Sequence, residues 1–154
     1  MQSRKPDFLD ASDLRRGIVD LLSRRDYSRL ELLRKFRDRC EDSDQLEQIL
    51  DDFQQRQWQS DQRFAESYLN SRFQRGIGPL RLRQELREKG IDSHTIELVF
   101  DAFDGDWFEN LYRIAEKKSK SIKENDKNKK QKLFRFLAYR GFTSEQISSV
   151  IDDL

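Results

Sequence analysis

The feature that most restricts the fold of this chain is a threefold self-similarity with a period of about fifty residues. Shifted by 50 and then by 51, the sequence lays Leu32 on Leu82 and Leu133, and Phe36 on Leu86 and Leu137. Further along, Leu46, Ile96 and Ile147 align, as do Ile49, Val99 and Val150, then Leu50, Phe100 and Ile151, and finally Phe53, Phe103 and Leu154. These last four columns stand at i, i+3, i+4 and i+7, one face of an amphipathic helix. A unit this small cannot cover its own apolar face, so it stacks on the next unit. Six Gly and two Pro in 154 residues are too few for a turn-rich β fold. The sequence therefore predicts an all-α, elongated array of three tandem three-helix repeats at 13–58, 59–105 and 106–154, after an N-terminal tail, 1–12.

Capping residues punctuate each repeat into three helices. Ser28 followed by Glu31 forms a capping box after the Asp26-Tyr27 turn, and a third helix runs from about Asp42–Asp44 to Gln57. Ser60-Asp61 opens the second repeat, which breaks at Arg75-Gly76-Ile77-Gly78-Pro79; Gly78 suits an N-cap and Pro79 the first helical position. Gly90 and Gly141 close equivalent helices as left-handed C′ residues, and Asp92 and Thr143 cap the helices that follow. The Lys/Asn-rich stretch Ser119–Lys130 shows no apolar period and reads as a flexible connection or frayed helix end, with the pattern resuming at Lys132.

Charge is segregated by helix, although the net formal charge is only +1. Residues 14–37 carry eight basic against three acidic side chains, and 38–55 carry one against seven. The next pair of blocks, 71–90 and 91–110, carries six against two and none against six; the last, 113–140 and 141–154, carries eleven against three and none against three. Second helices are thus basic and third helices acidic, and regular stacking would align the basic ones in a stripe.

Catalytic chemistry finds little support. His94, the single histidine, follows an N-cap in an acidic helix, where an exposed first-turn side chain is expected. Cys40 beside Arg39 has no second Cys or His with which to form a dyad or metal site, so it reads as structural. Adjacent acids such as Asp51-Asp52 and Asp152-Asp153 diverge on a helix and make poor metal clamps. Gly76-Ile77-Gly78 lacks the strand and the Gly-Lys-Ser/Thr ending of a phosphate loop, so it reads as the turn that opens a helix. No cofactor is expected, and no enzyme. Nor does any run approach the ~18 apolar residues of a membrane span. A single cysteine and an opening MQSRKPDFLD without an apolar stretch fit a cytoplasmic protein.

Binding has better support. Arg72, Arg75, Arg81, Arg83 and Arg87 surround the Gly76–Gly78 turn; Arg24, Arg25, Arg34 and Lys35 flank the equivalent turn of the first repeat. Lys129, Lys130, Lys132, Arg135 and Arg140 occupy the third. Such recurring cations suit a phosphate backbone or an acidic protein surface. Most aromatics fall on core columns; Tyr27 and Tyr139 are the loosest candidates for stacking on a base.

Several of these segments resemble one known family. Arg25-Asp26-Tyr27-Ser28 with Glu31-Leu32 resembles the opening motif of RecX proteins. Asp61-Gln62-Arg63-Phe64-Ala65, Tyr68, Ser71-Arg72 and Arg75-Gly76-Ile77-Gly78-Pro79 resemble their central signature, continued by Arg81, Gln84-Glu85-Leu86 and Lys89-Gly90-Ile91. Lys132, Leu137 and Tyr139-Arg140-Gly141-Phe142 are similar to the last motif, and the likeness spans about residues 13–154. One departure is Gln57-Trp58-Gln59, where the family commonly has a glycine and an apolar pair.

The resemblance implies a three-helix-repeat regulator of the RecA recombinase, one that binds in the groove of the RecA filament on single-stranded DNA and inhibits ATPase and strand exchange without catalysis of its own. The basic second-helix residues above would then face the filament, the protein acting as a monomer. The residues alone leave two rivals: a stand-alone binder that presents its helix pairs to duplex DNA, and a generic helical scaffold. Acidic third helices argue against the first, and the basic second helices against the other.

Overall fold

The computed structural model describes residues 8–154, so most of the expected tail, residues 1–7, lies outside the described residues. Among the described residues the chain is all-α. Its helices are α1 (Ala11–Leu22), α2 (Arg29–Phe36), α3 (Ser43–Gln55), α4 (Asp61–Gln74), α5 (Pro79–Glu88), α6 (Ser93–Ala102), α7 (Trp107–Ser121), α8 (Lys129–Arg140) and α9 (Ser144–Ile151), with a 3-10 turn at Arg37–Arg39. The first helix starts at Ala11, capped by Asp10, whose side chain accepts the Asp13 N–H. The capping boxes at Ser28–Glu31 and Thr143–Gln146 are both closed. Asp92 accepts the Thr95 N–H at 2.7 Å, and Ser60 Oγ accepts the Arg63 N–H at 3.1 Å.

Two compact units divide the chain: residues up to Ser67 with Arg87–Val99, and Tyr68–Leu86 with Phe100–Leu154. In the first, α1 and α2 pack on α3 around Leu14, Ile18, Leu32, Phe36, Leu46, Ile49, Leu50 and Phe53, and Cys40 is buried among them. Burying each of the large side chains contributes about 1.5–3 kcal/mol. Beyond α3 the backbone turns left-handed at Gln57, φ 59°. The Trp58 N–H reaches the Phe53 carbonyl (2.9 Å) and the Gln57 N–H reaches that of Gln54 (3.0 Å), a complete Schellman closure. Trp58 packs against Phe53 with ring centroids 5.2 Å apart and planes tilted by 44°, supplying the apolar contact that goes with that closure. Gln59, 1% exposed, donates to the Tyr27 carbonyl and to Asp61 Oδ1, and Asp61 in turn accepts the Arg29 N–H.

In the second unit, α7, α8 and α9 pack around Leu111, Ala115, Leu133, Leu137, Phe142, Ile147 and Val150. Here the sequence reading needs a correction. The ends of the Ser119–Lys130 stretch are helical, since α7 runs to Ser121 and α8 begins at Lys129, and only its middle connects the two helices. Leu111, Ala115, Ser119 and Ile122 continue one inward face, and the small, buried Ser119 disguises its period. What remains, 122–128, is folded into turns, with Asp126 N–H on the Lys123 carbonyl and Lys129 N–H on that of Asp126.

Four of the six repeat columns are buried in all three repeats. The other two are buried only at Leu50 and Phe53. Their counterparts Phe100 and Phe103 instead join Phe73 and Trp107, the Phe100 and Trp107 rings lying 6.0 Å apart and nearly parallel.

Candidate functional site

The Gly76–Gly78 turn is the pivot of the second unit. Gly76, at φ 82°, completes a Schellman closure of α4, with Ile77 N–H on the Arg72 carbonyl at 3.1 Å. Gly78 lies against the end of α8: its N–H donates to the Arg140 carbonyl at 2.7 Å, and the Leu80 N–H donates to the Gly141 carbonyl at 2.9 Å. The donors that would cradle a phosphate are therefore occupied by protein, in accord with a helix-opening turn. At Gly78 a Cβ would sit 2.4 Å from the Gly141 carbonyl carbon, so no side chain fits.

Several of the expected binding cations are held within the fold. Arg72 pairs with Glu85 at 2.5 Å, both largely buried (side chains 22% and 16% exposed), while Tyr68 donates to the same carboxylate. Burial pushes the Glu85 carboxyl up, but the Arg72, Tyr68 and Arg81 contacts outweigh it and hold the group below the usual carboxylate range. Arg81 also lies over the Tyr139 ring, 5.2 Å from its centroid. Arg83 covers Phe100 at 4.1 Å, and Arg87 is exposed.

In the first unit Arg25 lies 3.5 Å over the Tyr27 ring and pairs with Glu31, which also accepts Lys89 Nζ at 3.2 Å. Burial raises the Glu31 carboxyl; hydrogen bonds from Arg25, the Ser28 N–H and Lys89 more than reverse this. Lys35 is 5.9 Å from the same ring, Arg24 pairs with Asp20 on the surface, and Arg34 donates to the Glu88 carbonyl. Tyr27 is thus occupied by its own cations, whereas Tyr139 is 76% exposed. In the third repeat Lys132 pairs with Asp126, Lys130 with Asp152, and Arg135 is exposed.

Two of the predicted residues, Arg75 and Arg140, come together with three that sequence reasoning missed. A cleft of about 460 Å³ within the second unit is lined by Arg75, Arg113, Lys117, Lys118 and Arg140, with Phe136 as an apolar wall. No carboxylate lines it. Lys118 Nζ and the Arg140 guanidinium both lie on the Phe136 ring, 4.8 and 5.0 Å from its centroid. Arg140 donates to the Arg75 carbonyl at 2.9 Å, and Arg113 donates to the side chain of Asn110, itself fixed on the Phe73 carbonyl. The missed residues lie on α7, a first helix, while the repeat argument directed attention to second helices. The available signal was the Arg113, Lys117 i, i+4 spacing within the strongly basic 113–140 block.

Elsewhere, His94 is exposed in the first turn of α6 and Cys40 is buried with its thiol on the Arg37 carbonyl. Among the described residues no group of three or more His, Cys, Asp or Glu side chains is placed to hold a metal ion, and no helix is long and apolar enough to cross a membrane.

Comparison with known proteins decides the family. Residues 60–99 match the profile described as RecX, second three-helix domain, and residues 104–151 match that of RecX, third three-helix domain. The chain belongs to the RecX family. Regulatory protein RecX of Haemophilus influenzae is 40% identical over 136 residues, covering 87% of this chain and 90% of that protein. Regulatory protein RecX of Haemophilus ducreyi is 39% identical over 135 residues, covering 88% of each. In fold, the chain is similar to a crystal structure of regulatory protein RecX (TM-score 0.82, 23% identity, 92% of this chain and 73% of that one). It is also similar to RecX from Lactobacillus salivarius (TM-score 0.77, 24% identity, covering 94% and 96%). A regulatory role of the RecX kind follows from the family.

Proposed function

We propose that this RecX-family chain binds the filament that RecA forms on single-stranded DNA and restrains its ATPase and strand exchange. One observation carries the reading furthest: a cleft lined by five cations and by no carboxylate. Such a cleft binds an anionic partner and leaves its bonds intact. The chain acts in the cytoplasm as a monomer. By contacting one filament state more tightly than the others, it hinders the rearrangement that ATP turnover and duplex uptake require; differential affinity suffices. Bridging neighbouring protomers or occupying the growing end would both have this result.

The test is RecA ATPase on single-stranded DNA, with and without micromolar protein. The expected result is inhibition; an unchanged rate overturns the proposal. Tight duplex binding together with no effect on the recombinase would assign the chain instead as a stand-alone DNA-binding protein.

A further inference from the structure

We infer that the cleft between α4, α7 and α8 grips the sugar-phosphate backbone of single-stranded nucleic acid, without reading its sequence. The inference deepens the filament-regulator reading and rests on it for its setting: within the composite partner, it assigns this cleft to DNA and not to the acidic surface of a protein.

The ligand must be densely anionic, because five cations converge on about 460 Å³ and no carboxylate lies among them. It must also be thin and flexible, since the charges line a recess of a size that suits one or two nucleotides and not the convex face of a duplex. A single strand supplies one negative charge per nucleotide along a pliable chain. A folded acidic surface presents carboxylates on an outward curve and cannot bring several into one recess.

The cations are oriented before any ligand arrives. Lys118 and Arg140 rest on Phe136, Arg140 is also tied to the Arg75 carbonyl, and Arg113 is tied to Asn110. Binding therefore loses less side-chain freedom than at loose surface lysines. Five cations outnumber the two neutral polar side chains of the lining, Gln74 and Ser121, so contacts to phosphate dominate over any to base edges. Phosphates bound by Arg and Lys confer affinity and register without sequence preference. Phe136 is flanked by two cations and does not offer an open face for a base.

The experiment is fluorescence anisotropy of a labelled oligo-dT strand titrated with three proteins: wild type, Lys117→Glu plus Lys118→Glu, and a charge-matched control, Arg16→Glu plus Arg37→Glu, outside the cleft. Lys117→Gln plus Lys118→Gln serves as a milder form, and far-UV circular dichroism confirms helicity of each. The cleft variant is expected to bind more than tenfold more weakly at 100 mM salt, with the salt slope reduced by about 1.4, some 0.7 per lost contact. The control is expected to bind within about threefold of wild type.

Equal losses in cleft and control variants overturn the inference, because net charge alone would then explain binding. So does unchanged oligonucleotide affinity in the cleft variants accompanied by weaker binding to DNA-free RecA, which would assign the cleft to protein. ATP is the competing source of phosphate: micromolar ATP binding abolished in the cleft variants, with oligonucleotide binding intact, overturns it in favour of a nucleotide site. Inhibition of RecA ATPase by the wild type separates the two proposals. If it is present while the cleft variants bind DNA normally, only the cleft assignment fails; if it is absent while they lose DNA binding, only the regulatory reading fails.

Discussion

Gln57 shows how a single residue departs from a pattern while keeping its geometry. Its φ of 59° is the conformation that a glycine adopts without cost, and a non-glycine residue there costs about 1–2 kcal/mol. Its N–H is used in the α3 closure and its carbonyl accepts Arg63 Nη1, so the backbone geometry is fixed whatever side chain it bears. Gln57→Gly relieves the strain but adds freedom to the unfolded chain, an offset of about 0.5–1 kcal/mol. The net expectation is stabilisation by about 0.5–1 kcal/mol, read as a rise of about 2 °C in the thermal midpoint. Glu85 carries the opposite lesson, of a charge that the fold cannot spare. Its contacts hold the carboxyl below its ordinary value of 4.5, so its contribution is complete above about pH 4.5 and lost as pH falls through the lower folded value. Exposed ion pairs contribute about 0.2–1 kcal/mol, and removing one partner of a buried pair costs about 3–5. With Arg72 and Glu85 still about a fifth exposed, Glu85→Gln is expected to cost about 2 kcal/mol. Urea unfolding at pH 7 should reveal that difference, and a pH series should show it shrinking as pH falls below 4.5 and through the lower folded value, where the wild-type carboxyl is protonated too.

At the scale of elements, the start of α5 is fastened to the end of α8. The Gly78 and Leu80 N–H groups, which a helix leaves without intrahelical partners, are satisfied by the Arg140 and Gly141 carbonyls, which another helix leaves unsatisfied. That exchange requires the two backbones to touch, and Gly78 permits it. Gly78→Ala places a methyl 2.4 Å from Gly141 and must push the helix ends apart; the expected loss is about 3 kcal/mol, at the upper end of overpacking costs. Hydrogen exchange at the Leu80 amide would be accelerated more than exchange at Leu133 or Leu137, which separates this contact from general destabilisation. The helices were legible in the sequence because caps and apolar spacing are local: Ser28, Asp92, Gly141 and Thr143 each stand where the chain turns. The reading failed at Ser119, where a small polar residue takes an apolar position and conceals the last turn of α7. The junction of Gly78 with Gly141 was illegible for a different reason. Glycine at a helix opening has an adequate local explanation, and nothing in the spacing reveals that a second backbone occupies the missing Cβ.

For the whole molecule, a net charge of +1 and a locally cationic cleft make different statements about binding, and kinetics distinguishes them. The sequence disclosed that charge is segregated; it did not disclose which cations are already paired. Arg72 and Arg25 look equivalent to Arg75 until Glu85 and Glu31 are seen against them, and Lys117 joins Arg75 only through folding. Beyond a Debye length of about 8 Å a nearly neutral chain exerts little attraction, so its capture of an anionic strand should be weakly steered. Within the cleft, phosphates displace counterions, and up to five contacts at about 0.7 each give a log–log salt slope near −3.5. Between 50 and 200 mM salt, affinity for a single-stranded oligonucleotide should therefore fall about a hundredfold. Most of that fall should lie in dissociation, with the association rate changing by less than about threefold. Stopped-flow anisotropy at several salt concentrations measures both rates. An association rate that collapses with salt while dissociation stays constant would mean that a long-range basic face, summed over helices, governs binding in place of one preorganised cleft.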